Sequence, residues 1–207
     1  MASQKLIKAK IRSTDKTRKV TKAMESISAA KMRKAQVTAI TGRSYAKAAA
    51  GILARVGGSA SLARHSFVQV REIKKALYIV ITSDKGLAGS LSSAVLKAVT
   101  ADMVASGLSK EQVHIIAVGR KAHDFFSKRG YAVDAQMENG DDKISSEMIE
   151  TLVNEAAFRF GSGAVDTVRI AYQGFISTFE QKPAVRAMLP LSLEALTALI
   201  NEIVPAR

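Results

Sequence analysis

From Ala2 to Thr41 the chain contains neither Gly nor Pro, and apolar residues return at near-helical spacing as Ile7, Ile11, Val20, Met24 and Ile27. Lys and Arg fill the other faces, and the middle, Thr14 to Lys19, is polar. Alanines dominate later, at Ala23, Ala29, Ala30, Ala35 and Ala39. Ala is the best helix former, and its small side chain lets a second helix approach closely. This pattern predicts a helix of roughly 60 Å, longer than a small domain is wide. A stripe so thin suits half of a two-helix coil. Gly42 is expected to interrupt the helix, with Ala46 to Val56 extending or restarting it, and Gly57-Gly58-Ser59 forming a loop.

From Lys74 onward the period changes. Ala76 to Thr82 and Val113 to Val118 are continuous apolar runs, as expected of strands buried on both faces. Amphipathic helices are predicted over Leu91–Val104, Lys121–Lys128 with Phe125 and Phe126 inward, and Ser146–Phe160. Tyr131–Ala135 reads as a short strand and Val165–Tyr172 as a further clear one. Ala184–Leu191 is expected to pair with Val165–Tyr172 antiparallel, and Leu193–Val204 to form a last helix. The alternation implies an α/β fold, an open sheet with flanking helices, plus the long N-terminal helix as half of a coiled coil. The expected divisions are residues 1–56 for the basic helix, 57–73 for a linker with little structure, and 74–207 for the α/β domain.

Charge sharpens this picture. The net charge is +13, and the residues up to Arg43 hold about a dozen Lys or Arg against two acids, Asp15 and Glu25. One extended basic face therefore meets something acidic: a nucleic acid, an anionic membrane or an acidic protein surface. With 47% hydrophobic residues the chain has enough apolar material for a core. It has no Cys, which excludes disulfides and thiolate metal sites. No apolar run is long enough to span a bilayer. The start, Met-Ala-Ser-Gln-Lys-Leu-Ile-Lys, lacks the apolar core of a secretory signal.

Candidate chemistry is sparse. Thr82-Ser83-Asp84-Lys85-Gly86-Leu87-Ala88-Gly89-Ser90 follows the first strand of the α/β region, where a doubly wound fold places its ligand loop. It has neither the G-x-G-x-x-G nor the P-loop spacing, and a tight turn into a helix explains Gly86 and Gly89. His65, His114 and His123 have no metal-ligand spacing, and His114 reads as a satisfied core histidine. Ser83 and Ser90 lack the G-x-S-x-G context of a hydrolase. Asp141 and Asp142 read as a solvated turn. No nucleophile, base and orienting group assemble, so neither catalysis, cofactor nor metal is expected.

Longer motifs add a family. Ile11-Arg12-Ser13-Thr14, Thr17-Arg18-Lys19-Val20-Thr21-Lys22-Ala23-Met24 and Ala30-Lys31-Met32-Arg33-Lys34-Ala35 resemble the N-terminal helix of F-type ATP synthase γ subunits. That helix carries I-x-S-x-x-x-T-x-K-I/V-T-x-A-M followed by K-M-R-K. Thr82 to Gly89 is similar to the family's T-S-D-R/K-G-L-C/A-G. Gly119-Arg120-Lys121 with Phe125-Phe126, Phe175-Ile176-Ser177-Thr178, Gln181-Lys182-Pro183 and Leu189-Pro190-Leu191 match further segments, in order along nearly the whole chain.

The resemblance implies a central rotor shaft that couples ion-driven rotation of a membrane ring to ATP synthesis or hydrolysis in a ring of α and β subunits, without catalysis of its own. It implies that Lys19, Lys22, Met24, Lys31, Arg33 and Lys34 line the torque-bearing side, and that Lys85 offers another polar contact to the ring. It also implies that the α/β region docks the ε subunit and the membrane rotor, with no nucleic acid. Membrane association would run only through the complex, peripheral, on the cytoplasmic side in a bacterium. Family members continue for about another helix's length, whereas this chain stops at Val204-Pro205-Ala206-Arg207. The helix that pairs with residues 2–41 is thus expected to be absent, through truncation, a divergent short form or donation by another chain. A long helix without that partner is expected to fray in solution. A nucleic-acid module lacks support, because Tyr45 is the only aromatic before Phe67. A small α/β enzyme would rest on the Lys85–Gly89 turn alone.

Overall fold

β1, Ala76–Ile81, is the central strand of a five-stranded sheet and is buried on both faces, which is why its sequence is an unbroken apolar run. The computed structural model describes residues 2–56, 65–138 and 145–192. It divides into two units, Met1–Ala48 and Ala49–Arg207.

The first unit belongs to α1, Ala2–Val56, a single 55-residue helix. The expected break at Gly42 does not occur. Gly costs only about 1 kcal/mol relative to Ala in a helix, and Ala35, Ala39, Ala46 and Ala48 around it favour continuation. The polar residues of α1 also spend their hydroxyls on the helix itself. Thr17, Thr21, Thr38 and Thr41 each donate to the carbonyl four residues back, at 2.9–3.1 Å.

In the second unit β1 is followed by α2, Leu91–Ala105, β2, Val113–Val118, α3, Arg120–Ser127, and β3, Ala132–Met137. Then come α4, Ser146–Gly161, β4, Thr167–Phe175, and β5, Gln181–Leu189. The strand order is β3-β2-β1-β4-β5, with the first four parallel and β5 antiparallel to β4. The expected open α/β sheet with flanking helices is therefore the fold.

Alternate side chains of the strands build two cores. Tyr78, Val80, Ile115 and Ala117 pack against Val95, Val99 and Met103 of α2 and Phe126 of α3. Leu77, Ile79, Ile116 and Val168 pack against Leu152, Ala156 and Phe160 of α4 on the opposite face. Each of the larger apolar side chains among them contributes about 2 kcal/mol through removal from water, and each Ala less. Phe126 is fully buried as expected, while Phe125 is only half-buried at the edge of its core.

Several boundaries move by one to three residues. β3 ends at Met137 rather than Ala135, and β4 runs from Thr167 to Phe175 rather than from Val165 to Tyr172. Val165 is buried but precedes the ladder, its N–H going to the Arg159 carbonyl. β5 begins at Gln181, since Pro183 sits in a strand at the edge of the sheet, where a missing N–H is tolerated.

Residues 65–71, expected to carry little structure, are packed. Phe67 meets Phe160 edge-on at 6.2 Å, its carbonyl accepts from Leu191 N at 2.6 Å, and Arg71 donates to the Phe160 carbonyl at 3.1 Å. His114 departs from the core role expected of it. Its side chain is 29% exposed, with Nδ1 2.9 Å from Asp134 of the edge strand β3, and Asp134 also pairs with Arg159 of α4. It bridges surface elements because β3 leaves that side of β2 close to solvent. The expected loop at residues 57–59, the Asp141–Asp142 turn and the Leu193–Val204 helix lie outside the described residues.

Candidate partner interface

Six of the seven residues expected to meet a partner stand on α1: Lys19, Lys22, Met24, Lys31, Arg33 and Lys34, all exposed. At about 100° per residue, Lys19, Lys22 and Arg33 share one face with Lys34 at its margin, whereas Met24 and Lys31 point to the opposite side. The cations thus surround the helix rather than lining one edge of it. Lys19 pairs with Asp15 at 2.9 Å, and so does Arg18. Hydrogen bonds first from Lys19 and then from Arg18 hold the Asp15 carboxyl below its ordinary range. Apolar side chains on α1 are open as well, with Ile11 62% and Met24 49% exposed.

Lys85 belongs to the second unit, in the turn between β1 and α2. Three residues ahead of it make an unusual set of bonds. Asp84 Oδ1 accepts from the Arg120 N–H at 2.9 Å, the Ser83 carbonyl from Lys121 N at 3.2 Å, and Thr82 Oγ1 from Ala122 N at 2.9 Å. Those donors are the opening amides of α3. Thr82 N in turn donates to the Val118 carbonyl at 2.8 Å. The turn then projects outward: Leu87 is 97% exposed with φ of 65°, and Gly89 has φ of 57°.

A groove beside this turn is lined by Lys85, Leu87, Lys121, Phe125, Lys128 and Arg129. Arg129 stacks 3.6 Å over the Phe125 ring and donates to the Phe125 carbonyl at 3.1 Å. The surface is cationic and open. The α3 amides that could receive a phosphate are already engaged by Thr82, Ser83 and Asp84, so the groove offers its cationic side chains without them. Sequence reasoning singled out Lys85, named Gly119 and Arg120 only as part of a family motif and passed over Ser92, because which amide or hydroxyl each one meets is decided by the fold. Among the described residues no group of three or more His, Asp or Glu could hold a metal ion, and no helix is long and apolar enough to cross a membrane.

The fold and this surface define an α/β protein with a long cationic helix and an open, basic turn at the C-terminal edge of its parallel strands. Residues 3–204 match a family profile described as ATP synthase. The chain is similar to the ATP synthase gamma chain of Staphylococcus epidermidis, 36% identical over 194 residues, covering 94% of this chain and 67% of that one. It is also similar to the ATP synthase gamma chain of Cupriavidus necator, 37% identical over 202 residues, covering 98% and 69%. A solved central stalk of the Tetrahymena thermophila mitochondrial ATP synthase gives a TM-score of 0.47 at 18% identity, over 82% of this chain and 77% of that one. The chain belongs to the ATP synthase γ-chain family, and it spans about two thirds of the length of these two γ-chain relatives.

Proposed function

We propose that this chain is the central rotor-shaft subunit of an F-type ATP synthase, coupling rotation of a membrane ring to ATP synthesis or hydrolysis in a ring of α and β subunits. The observation that carries this is the family match over residues 3–204. On this reading the chain supplies no catalytic group, and chemistry takes place in the subunits it turns against. It touches the membrane only through the complex, on the cytoplasmic side in a bacterium, with the ε subunit and the rotor ring as further partners of the α/β unit.

The exposed cations suit such a role. A shaft that turns inside a ring needs attraction at every angle and a trap at none. Exposed ion pairs contribute only about 0–1 kcal/mol each, so acidic loops pressing on Lys19, Lys22, Arg33 and Lys34 engage and release without a deep well. Met24 and Lys31, on the far side of α1, extend the same contact around the helix. Lys85 adds a contact from the second unit.

The test is assembly with the cognate α and β subunits, followed by size analysis and an ATPase assay. A stoichiometric complex with turnover that responds to ε is expected. Failure to form any complex, with all subunits folded, overturns the proposal.

A further inference from the structure

An N-cap satisfies α-helix amides with a side chain from the residue next to them, and one such side chain is the usual provision. α3 is different. Its own N-cap residue, Gly119, has no side chain, and the caps arrive from 36 and 40 residues away in sequence as Asp84 and Thr82. Ser83, between them, adds its carbonyl to Lys121 N.

The middle residue of the three, Ser83, is also tied to α2. Ser83 N donates to Ser92 Oγ at 3.3 Å, and the two hydroxyl oxygens are 2.9 Å apart. Ser83 Oγ donates to the Lys85 carbonyl at 2.9 Å. A hydroxyl has one proton, so the bond between the serines is donated by Ser92. The backbone at Lys85 is therefore held through Ser83 to α2, while Thr82 and Asp84 hold the same segment to α3 and the Thr82 amide holds it to β2. Beyond these ties Leu87 is 97% exposed and adopts a left-handed φ of 65°, which costs a non-glycine residue energy to hold.

The geometry points to Thr82, Ser83, Asp84 and Ser92 as positioning residues that hold Lys85–Gly89 as a stiff projection. A load taken up at Lys85 or Leu87 then passes into β1 and α3 rather than being absorbed by the turn. The inference rests on the shaft proposal for what presses on the turn, but the stiffness is a property of this chain alone. Asp84 is required for the acceptor it presents to Arg120 N.

The full chain tests it without any partner. It contains no Cys, so Leu87→Cys takes a single nitroxide label. In the parent the label is expected to give a broad, restricted spectrum. Asp84→Ala should sharpen the spectrum and speed amide exchange across Lys85–Gly89 about tenfold, as loss of a charge-assisted hydrogen bond implies. Asp84→Asn, which keeps an acceptor, should restore both readouts toward the parent. Faster exchange at Arg120 alone, with the turn and label unmoved, would overturn the inference and leave Asp84 a helix cap only. Should Asp84→Ala not fold, Ser92→Ala leaves the α3 cap in place and decides by the same readouts: an unmoved turn overturns the inference. A loose turn in a chain that still assembles with α and β subunits would leave the shaft proposal standing. A stiff turn in a chain that does not assemble would do the reverse.

Discussion

Gly119 passes so close to Thr82 that a Cβ added to it would lie 2.2 Å from the Thr82 carbonyl oxygen. Its φ is 98°, a left-handed value that only Gly enters cheaply. The contact lies where β1 and β2 end together and the chain turns into α3. It brings Thr82 near enough to reach the Ala122 amide.

Gly119→Ala should accordingly cost about 3 kcal/mol or more, since backbone strain and a clash with main-chain atoms act together. Urea denaturation measures it. A loss below about 1 kcal/mol would mean that the two strand ends separate easily.

Tyr78 donates to Asp102 at 2.8 Å, and Arg169 binds the same carboxylate and Ser106 Oγ, which ties β1, α2 and β4 together. Asp102→Ala leaves a phenol and a largely covered guanidinium short of an acceptor, and should cost about 2 kcal/mol. Asp102→Asn, which keeps one, should cost less. Thermal denaturation of both variants against the parent checks the order.

Burial first, and then the bond to Asp102, raise the Tyr78 hydroxyl well above its ordinary value. Below about pH 10 the phenol is neutral in both folded and unfolded chains, and this group then makes no difference. Above that, the unfolded chain releases the proton first, so stability falls as pH rises toward the folded value. Denaturation midpoints between pH 9 and 12 should drop for the parent and drop less for Tyr78→Phe.

Asp15 works in the opposite direction. Its folded value lies below the ordinary 3.8, so its pairing with Lys19 and Arg18 is present above that pH and is lost as pH falls through the lowered value. The helical signal of α1 should decline slightly over that acid range, and Asp15→Asn should flatten the response. Circular dichroism at 222 nm on parent and variant is the measurement.

α1 exposes Leu6, Ile11, Val20, Ile27 and Ile40 by more than half. A helix whose apolar residues stay in water gains little from packing, so its amides across Lys16–Lys34 should exchange quickly in the purified chain and slow on assembly with α and β subunits. Strong protection across that span in the monomer would contradict the prediction.

The residues that proved legible in sequence are those whose environment repeats locally. Ala76–Ile81 and, His114 apart, Val113–Val118 lie between two layers of helix, so both faces are apolar and the run is visible without knowing the neighbours. The basic helix was legible for a similar reason, because charge and helix period are properties of consecutive residues. Long, ordered motifs such as Thr17 to Met24 carried the family.

Other features depended on segments far apart in the chain. Gly42 reads as a breaker, yet the alanines around it carry the helix through. His114 sits in an apolar strand but lies beside an edge strand, so it meets Asp134 rather than the core. Thr82-Ser83-Asp84 reads only as the start of a tight turn into a helix, and nothing in its sequence shows that its oxygens face the amides of α3 from 36 to 40 residues away. Periodicity reports which face of an element avoids water. Which donor meets which acceptor is set by the strand order β3-β2-β1-β4-β5 and the crossovers that create it, and these emerge only when the whole sheet closes around its two cores.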